Sequence, residues 1–213
     1  QLDVNNAFLH GDLCEEVYML VPDGLPNPLH KVCKLVKSLY GLKQASRQWF
    51  AKLGGPLRHK GFQQSKNDYS LFIKHNGTKI TIVAVYVDDI ILTGDDSHEI
   101  SDLKQYLDDV FSIKDLGRLS YFLGIEVGYT SEGITLTQKK FTRELLEEAK
   151  VEGDKSYVNP LPVNLKLKAE EGDIIDDPTI YRWLVGKLNF LTHTRPDLAY
   201  TVQHLSQYLQ QPR

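Results

Sequence analysis

Three aspartates are the residues of this chain best suited to chemistry. Asp3 sits in QLDV, and Asp88 and Asp89 sit in AVYVDDIILTGDD, each embedded among apolar residues. An ionised carboxylate buried without a partner is costly, so each must be solvated, protonated, matched by a cation or bound to a metal. A hairpin turn is an ordinary home for Asp, but here Tyr86 and Val87 lead straight into the pair and Ile90 and Ile91 lead straight out, without Gly or Asn. Asp3 has no turn chemistry around it at all. If the strand carrying Asp3 lies beside the hairpin carrying Asp88, the carboxylates converge on a place for two Mg²⁺, which favour carboxylate, water and phosphate oxygens. Two such ions about 4 Å apart serve phosphoryl transfer. Adjacent strand side chains point to opposite faces, so Asp88 and Asp89 are not equal ligands unless the turn twists them, and Asp88 ranks first. Cys14 and Cys33 are the only cysteines, and the seven histidines lack tight ligand spacing, so any metal is held by oxygen.

The elements that must position these groups follow from periodicity and punctuation. Leu2 to Leu9 reads as a strand running into a helix or turn, and residues 22–28, PDGLPNP, read as a loop. Residues 43–53 form a helix with Ala45, Trp49, Phe50 and Leu53 inward, which Gly54, Gly55 and Pro56 are expected to end. Two strands meet at His75, Asn76, Gly77 and Thr78, since Asn-Gly is a hairpin signal, and a third strand follows the carboxylates. Ser97 is expected to cap a helix in which Ile100, Leu103, Leu107, Val110 and Phe111 recur at helical spacing. A further hairpin turns around residues 130–133, a helix spans 138–150, a low-order loop occupies 154–178, and helices cover 179–194 and 196–209. Strands with helices on one face, then a helical part, make an α+β protein.

Composition bounds the class. With 41% hydrophobic and 25% charged residues the chain has core enough for one large or two small domains. It shows neither a membrane span nor a leader, so an intracellular protein without a membrane partner is expected. The net charge of −3 hides a segregation, because no Asp or Glu lies between Gly24 and Asn67 while Lys31, Lys34, Lys37, Lys43, Arg47, Lys52, Arg58, Lys60 and Lys66 do. Such a block makes a polyanion-facing surface about as reasonable as a merely solvated one.

Five blocks, QLDVNNAFLHGDL, SLYGLKQASRQWF, YVDD, YFLGIEV and YRWLVGKLNFLTHTRPDLAY, occur in an order and spacing that resemble the reverse transcriptases of copia-type long-terminal-repeat retrotransposons. The resemblance covers practically the whole chain. It implies a right-hand polymerase whose palm is a small antiparallel sheet backed by helices, with partial fingers and a helical thumb. It assigns residues 1–10 and 44–138 to the palm, 11–43 to the fingers and 139–213 to the thumb, with upstream fingers and a ribonuclease H domain outside the chain. It implies RNA- and DNA-templated DNA synthesis with two Mg²⁺, or Mn²⁺ in their place, held by Asp3, Asp88 and Asp89. Deoxynucleotide contacts fall to Val4, Phe8, Gly41, Lys43, Gln44 and Tyr86, with Phe8 closing on the sugar 2′ position. Phe122, Leu123, Gly124 and Lys187 are implied contacts to the primer and duplex. The implied partners are a primed RNA or DNA template, deoxynucleoside triphosphates and the other Pol polyprotein domains, in a cytoplasmic virus-like particle. Trp49 and Trp183, at helical spacing, read as core and receive no role.

Two readings from other classes stand beside this one. A catalytically inert nucleic-acid-binding remnant would keep every motif. A generic two-metal nuclease needs the carboxylates but supplies no reason for Phe8, for Gly41 before a basic helix, or for the hairpin around Leu123.

Overall fold

The computed structural model describes residues 1–26, 31–151, 159–162 and 165–213. Residues 27 and 28 of the expected first loop, and residues 154–158 and 163–164 of the later one, lie outside the described residues. Two compact units divide the chain, residues 1–119 and 120–213.

The first unit opens with β1 (Leu2–Val4), a 3-10 turn (Ala7–His10), β2 (Asp12–Leu20) and β3 (Val32–Lys37). Then come α1 (Ala45–His59), β4 (Gln63–Gln64), β5 (Leu71–Asn76), β6 (Lys79–Tyr86), β7 (Asp89–Gly94), α2 (Ser97–Phe111) and β8 (Ile113–Asp115). Six strands form one antiparallel sheet in the order β4-β5-β6-β7-β1-β8, and β2 and β3 pair apart from it as a two-stranded ribbon. The core lies where α1 and α2 cover one sheet face. Trp49, Leu53 and Leu57 of α1 and Leu103, Leu107 and Phe111 of α2 meet Leu2, Val4, Phe72, Val83, Val85 and Ile90. Because side chains alternate across a strand, Leu2 and Val4 in this core send Asp3 to the opposite face.

Two elements depart from what the sequence led one to expect. The run Gly54-Gly55-Pro56 does not end α1, which continues to His59. An interior Pro costs about 3 kcal/mol and each Gly about 1 kcal/mol. Full burial of Leu53, Leu57 and then Phe62, about 1.5 to 3 kcal/mol each, is of comparable size and carries the helix through. The cap of α2 is Asp96, not Ser97: its carboxylate accepts from the Glu99 amide at 3.3 Å and from Asn76 Nδ2 at 3.1 Å. These bonds hold the Asp96 carboxyl below its ordinary value, the Glu99 amide contributing most. An ionised acceptor fixed by the neighbouring hairpin outcompetes a hydroxyl.

The second unit holds β9 (Tyr121–Phe122), β10 (Ile125–Tyr129) and β11 (Ile134–Thr137) as an antiparallel sheet, then α3 (Lys139–Glu148), α4 (Thr179–Leu191), a 3-10 turn (Pro196–Leu198) and α5 (Ala199–Ser206). The hairpin around Leu123 thus clusters with the later helices. Gly124 is required in its turn: φ is +83°, and a Cβ there would meet the Phe190 ring at 3.0 Å. Glu126 reaches from β10 to accept from the Lys140 amide at 2.7 Å and Thr137 Oγ1 at 3.1 Å, capping α3 across the sheet. No helix of the described residues is long and apolar enough to cross a membrane.

Candidate active site

The register of β1 builds the site. Asp3 stands directly opposite Asp89 on one side and Lys114 of β8 on the other, and Asp89 stands opposite Tyr86 of β6. Opposed residues share a face, so Tyr86, Asp89, Asp3 and Lys114 form a row across the sheet on the side away from the helices. The Val4 amide bonds the Asp88 carbonyl at 2.9 Å, which makes Asp3 and Asp89 a non-hydrogen-bonded pair, the closer kind, with Cα atoms about 4.5 Å apart. Like charges so opposed repel. Gln1 Nε2 donates to Asp89 Oδ1 at 2.9 Å, while Asp3 and Asp88, both half-buried, have neither a hydrogen bond nor an ion pair to their carboxylates among the described residues.

Asp88 lies in the two-residue turn between Tyr86 and Asp89. Val87 before it has φ +55°, left-handed backbone that a β-branched residue rarely adopts. The strain is held from below, where Trp49 Nε1 donates to the Val87 carbonyl at 2.6 Å.

Tyr40 joins the aspartates. Its ring lies 4.5 Å from that of Phe8, and it is 54% exposed. Its phenol pKa is raised, first by desolvation and then by the negative charges of Asp88 and Asp3, so both carboxylates are in its neighbourhood. Gly41 follows with φ +91° and open space around it, turning the chain into α1. No acidic residue occupies the first turn of α1, and Lys43 and Arg47 beside it are exposed and form no ion pair among the described residues.

The other expected site residues fall in several places. Val4 is 1% exposed within the core, so its side chain is withdrawn from substrate, and it serves the carboxylates through its amide. Tyr86 is exposed beside Asp89, and Gln44 precedes α1 without a side-chain cap bond. Phe122 and Gly124 are half-buried and Leu123 is exposed in the second unit's hairpin. Lys187 is engaged within that unit, its ammonium 3.6 Å from Glu148 and 5.3 Å from the centres of both the Phe141 and Trp183 rings.

The acid-free window overstates its field, because acids from β2 fold back onto it. Glu16 pairs with Lys34, while Asp12 pairs with Lys37 and, at 2.8 Å, with Lys52. Asp12 is held at about 2 by these partners, Lys37 foremost. An open cleft of about 560 Å³ in the second unit has Lys139, Arg143 and Arg195 on its walls, Arg195 being paired with Asp197.

No group of three His, Cys, Asp or Glu among the described residues is assembled to hold an ion unaided. Mg²⁺ needs no such cluster, since it binds through one or two carboxylates and completes its shell with water and substrate phosphates. The carboxylates of Asp3, on the open sheet face, and Asp88, in the turn, are hard oxygen donors with no hydrogen bond or ion pair among the described residues, while Asp89 is engaged by Gln1. Sequence reasoning missed Lys114, Tyr40 as a partner of the carboxylates, and the hydrogen bond from Trp49. Only the strand register and the turn geometry show them.

The family described as reverse transcriptase (RNA-dependent DNA polymerase) matches residues 1–163. The retrovirus-related Pol polyprotein from transposon RE2 of Arabidopsis thaliana is 43% identical over this whole chain, which spans 15% of that relative. The Pol polyprotein from transposon TNT 1-94 of Nicotiana tabacum is 37% identical, with 17% of it covered. The putative transposon Ty5-1 protein of Saccharomyces cerevisiae is 32% identical, with 70% of it covered. No solved structure matches.

Proposed function

Because the chain belongs to the reverse transcriptase (RNA-dependent DNA polymerase) family, within its copia-type Pol polyprotein branch, we propose that it extends a primer along an RNA or DNA template with deoxynucleoside triphosphates. The six-stranded sheet with α1 and α2 serves as palm, the β2–β3 ribbon as part of the fingers, and the helices of the second unit as thumb. One observation carries the reading: Asp3 and Asp88 are half-buried carboxylates with no protein partner among the described residues, next to an aspartate in register. A protein tolerates that arrangement where a cation completes it.

Asp3 and Asp88 would hold the divalent ions, with Asp89 beside them steadied by Gln1. Bound there, Mg²⁺ would supply Lewis-acid activation of the primer 3′ hydroxyl and charge stabilisation for the leaving pyrophosphate. The chain's own residues position the reactants. The Phe8–Tyr40 pair forms an aromatic wall beside the carboxylates, suited to lie against the nucleotide sugar and crowd a 2′ hydroxyl. Gly41 lets the backbone approach the nascent base pair, and Lys43, Arg47 and the start of α1 attract template or triphosphate phosphates. The partners are the primed template, deoxynucleoside triphosphates and the remaining Pol polyprotein domains, in a virus-like particle.

Primer extension by the wild-type chain and by Asp3→Asn and Asp88→Asn, beside filter binding of the same primed template, tests this. Incorporation lost in both variants while binding persists supports it. A variant that extends at the wild-type rate overturns the metal assignment, and salt-sensitive binding without wild-type incorporation identifies an inert remnant.

A further inference from the structure

Trp49 sits in the middle of the core pattern of α1, where any large apolar residue would satisfy the spacing. Its indole nevertheless does something that a phenyl ring cannot. The ring is 1% exposed, packed edge-on against Phe111 with centroids 5.1 Å apart and flanked by His10 at 5.8 Å. So fixed, it aims Nε1 at the Val87 carbonyl, 2.6 Å away. Val87 is the residue that needs holding. A two-residue hairpin connection normally recruits Gly or Asn at a left-handed position, and here a valine occupies it at φ +55°. Such a conformation persists only where its surroundings over-determine it.

Beyond the ladder pairing of Tyr86 with Asp89, three bonds among the described residues secure the turn and its carboxylates: Trp49 to Val87, the Val4 amide to the Asp88 carbonyl, and Gln1 to Asp89. The last two act on the strands' own pairing and on one carboxylate. Among the described residues, the first is the one that grips the strained residue itself, immediately before Asp88. We propose that Trp49 is a positioning residue: its indole N–H clamps the Val87 carbonyl and thereby fixes the left-handed turn that presents Asp88 and Asp89 beside Asp3. The clamp stands on geometry, while its consequence for ion binding rests on the function proposed above.

The test uses the full chain as wild type, Trp49→Phe, Val87→Asn and the double variant. Phe keeps a large ring in the core and removes the donor, and Asn accepts left-handed backbone at lower cost. Residue-resolved amide exchange is read across residues 85–90 and, as an internal control, across β5 and α1. Trp49→Phe is expected to speed exchange at 85–90 about tenfold relative to the control, the equivalent of one net hydrogen bond, and the effect is expected to shrink in the Val87→Asn background. Mn²⁺ affinity, measured by electron paramagnetic resonance, is expected to weaken with the same rescue.

Unchanged exchange at 85–90, or equal acceleration over the control segments, assigns Trp49 to packing alone and overturns the clamp. If the turn loosens as expected but Mn²⁺ binding is indifferent to Asp3→Asn and Asp88→Asn, the clamp stands and the metal reading fails. Mn²⁺ binding that requires both aspartates yet ignores Trp49→Phe, with the turn unmoved, does the reverse.

Discussion

Replacing Asp3 by Asn should stabilise the metal-free protein while abolishing the proposed primer extension. Asp3 faces Asp89 directly on the sheet, at a position where opposed side chains approach closely. With β-carbons about 5 Å apart, two unit charges repel by about 0.8 kcal/mol in water and about 3 kcal/mol at the effective dielectric of a protein surface. Lys114, opposed to Asp3 on its other side, offsets part of this repulsion, both aspartates are half-exposed and Gln1 already donates to Asp89, so about 1 kcal/mol is the ceiling after solvent screening. For a chain of this size that corresponds to a rise of roughly 2 to 4 °C in melting temperature. The assay is thermal unfolding in a chelator, repeated with millimolar Mg²⁺. Wild type should gain stability from Mg²⁺ by mass action, and Asp3→Asn should start higher and gain less. A lower melting point for Asp3→Asn in chelator, together with an undiminished response to Mg²⁺, would refute the idea that Asp3 is an uncompensated ligand.

Other consequences are as concrete. Lys43→Ala and Arg47→Ala should each weaken primed-template binding and reduce the slope of log affinity against log salt by about 1, since each removes one phosphate contact; filter binding over a salt series measures this. Gly124→Ala should cost about 1 to 2 kcal/mol in urea unfolding, because L side chains resist its left-handed backbone and the new Cβ meets Phe190. Asp12 is depressed from 3.8 to about 2, so its tie to Lys37 and Lys52 is fully present above the unfolded value and is lost as pH falls through about 2. Acid titration of ribbon exchange in wild type and Asp12→Asn should show the variant less sensitive than wild type across that window, the remaining response belonging to the Glu16–Lys34 pair.

Much of this architecture was legible because local signals agreed with packing. Asn76-Gly77 marked a true hairpin, and the apolar residues around Asp3 announced a strand with one side chain out of place. What failed was arbitration between local cost and burial. Gly54, Gly55 and Pro56 are breakers by propensity, and the buried leucines on either side overrule them. The cap of α2 was off by one residue because Asp95, Asp96 and Ser97 are all cap formers, and only Asn76, arriving from the adjacent hairpin, selects Asp96. Within the site, Asp3 and the Asp-Asp pair could be named from the sequence and their convergence expected, but the register that sets Asp3 against Asp89 could not be read, since the strands that carry them are separated by most of the first unit. Ranking Asp88 over Asp89 rested on strand alternation, which the left-handed Val87 interrupts at that very place. Spacing reads Trp49 and Trp183 alike as core: Trp49 is core, and that reading hid its donor, whereas Trp183 is 36% exposed on α4 with Lys187 over its ring.

The most direct measurement is a crystal structure of the chain with primer, template and a non-hydrolysable deoxynucleotide in Mn²⁺, with anomalous scattering locating the metal. The expected result is Mn²⁺ liganded by Asp3 and Asp88 oxygens and by the nucleotide phosphates. Nucleotide bound elsewhere, or manganese absent from these carboxylates while nucleotide is present, would contradict it.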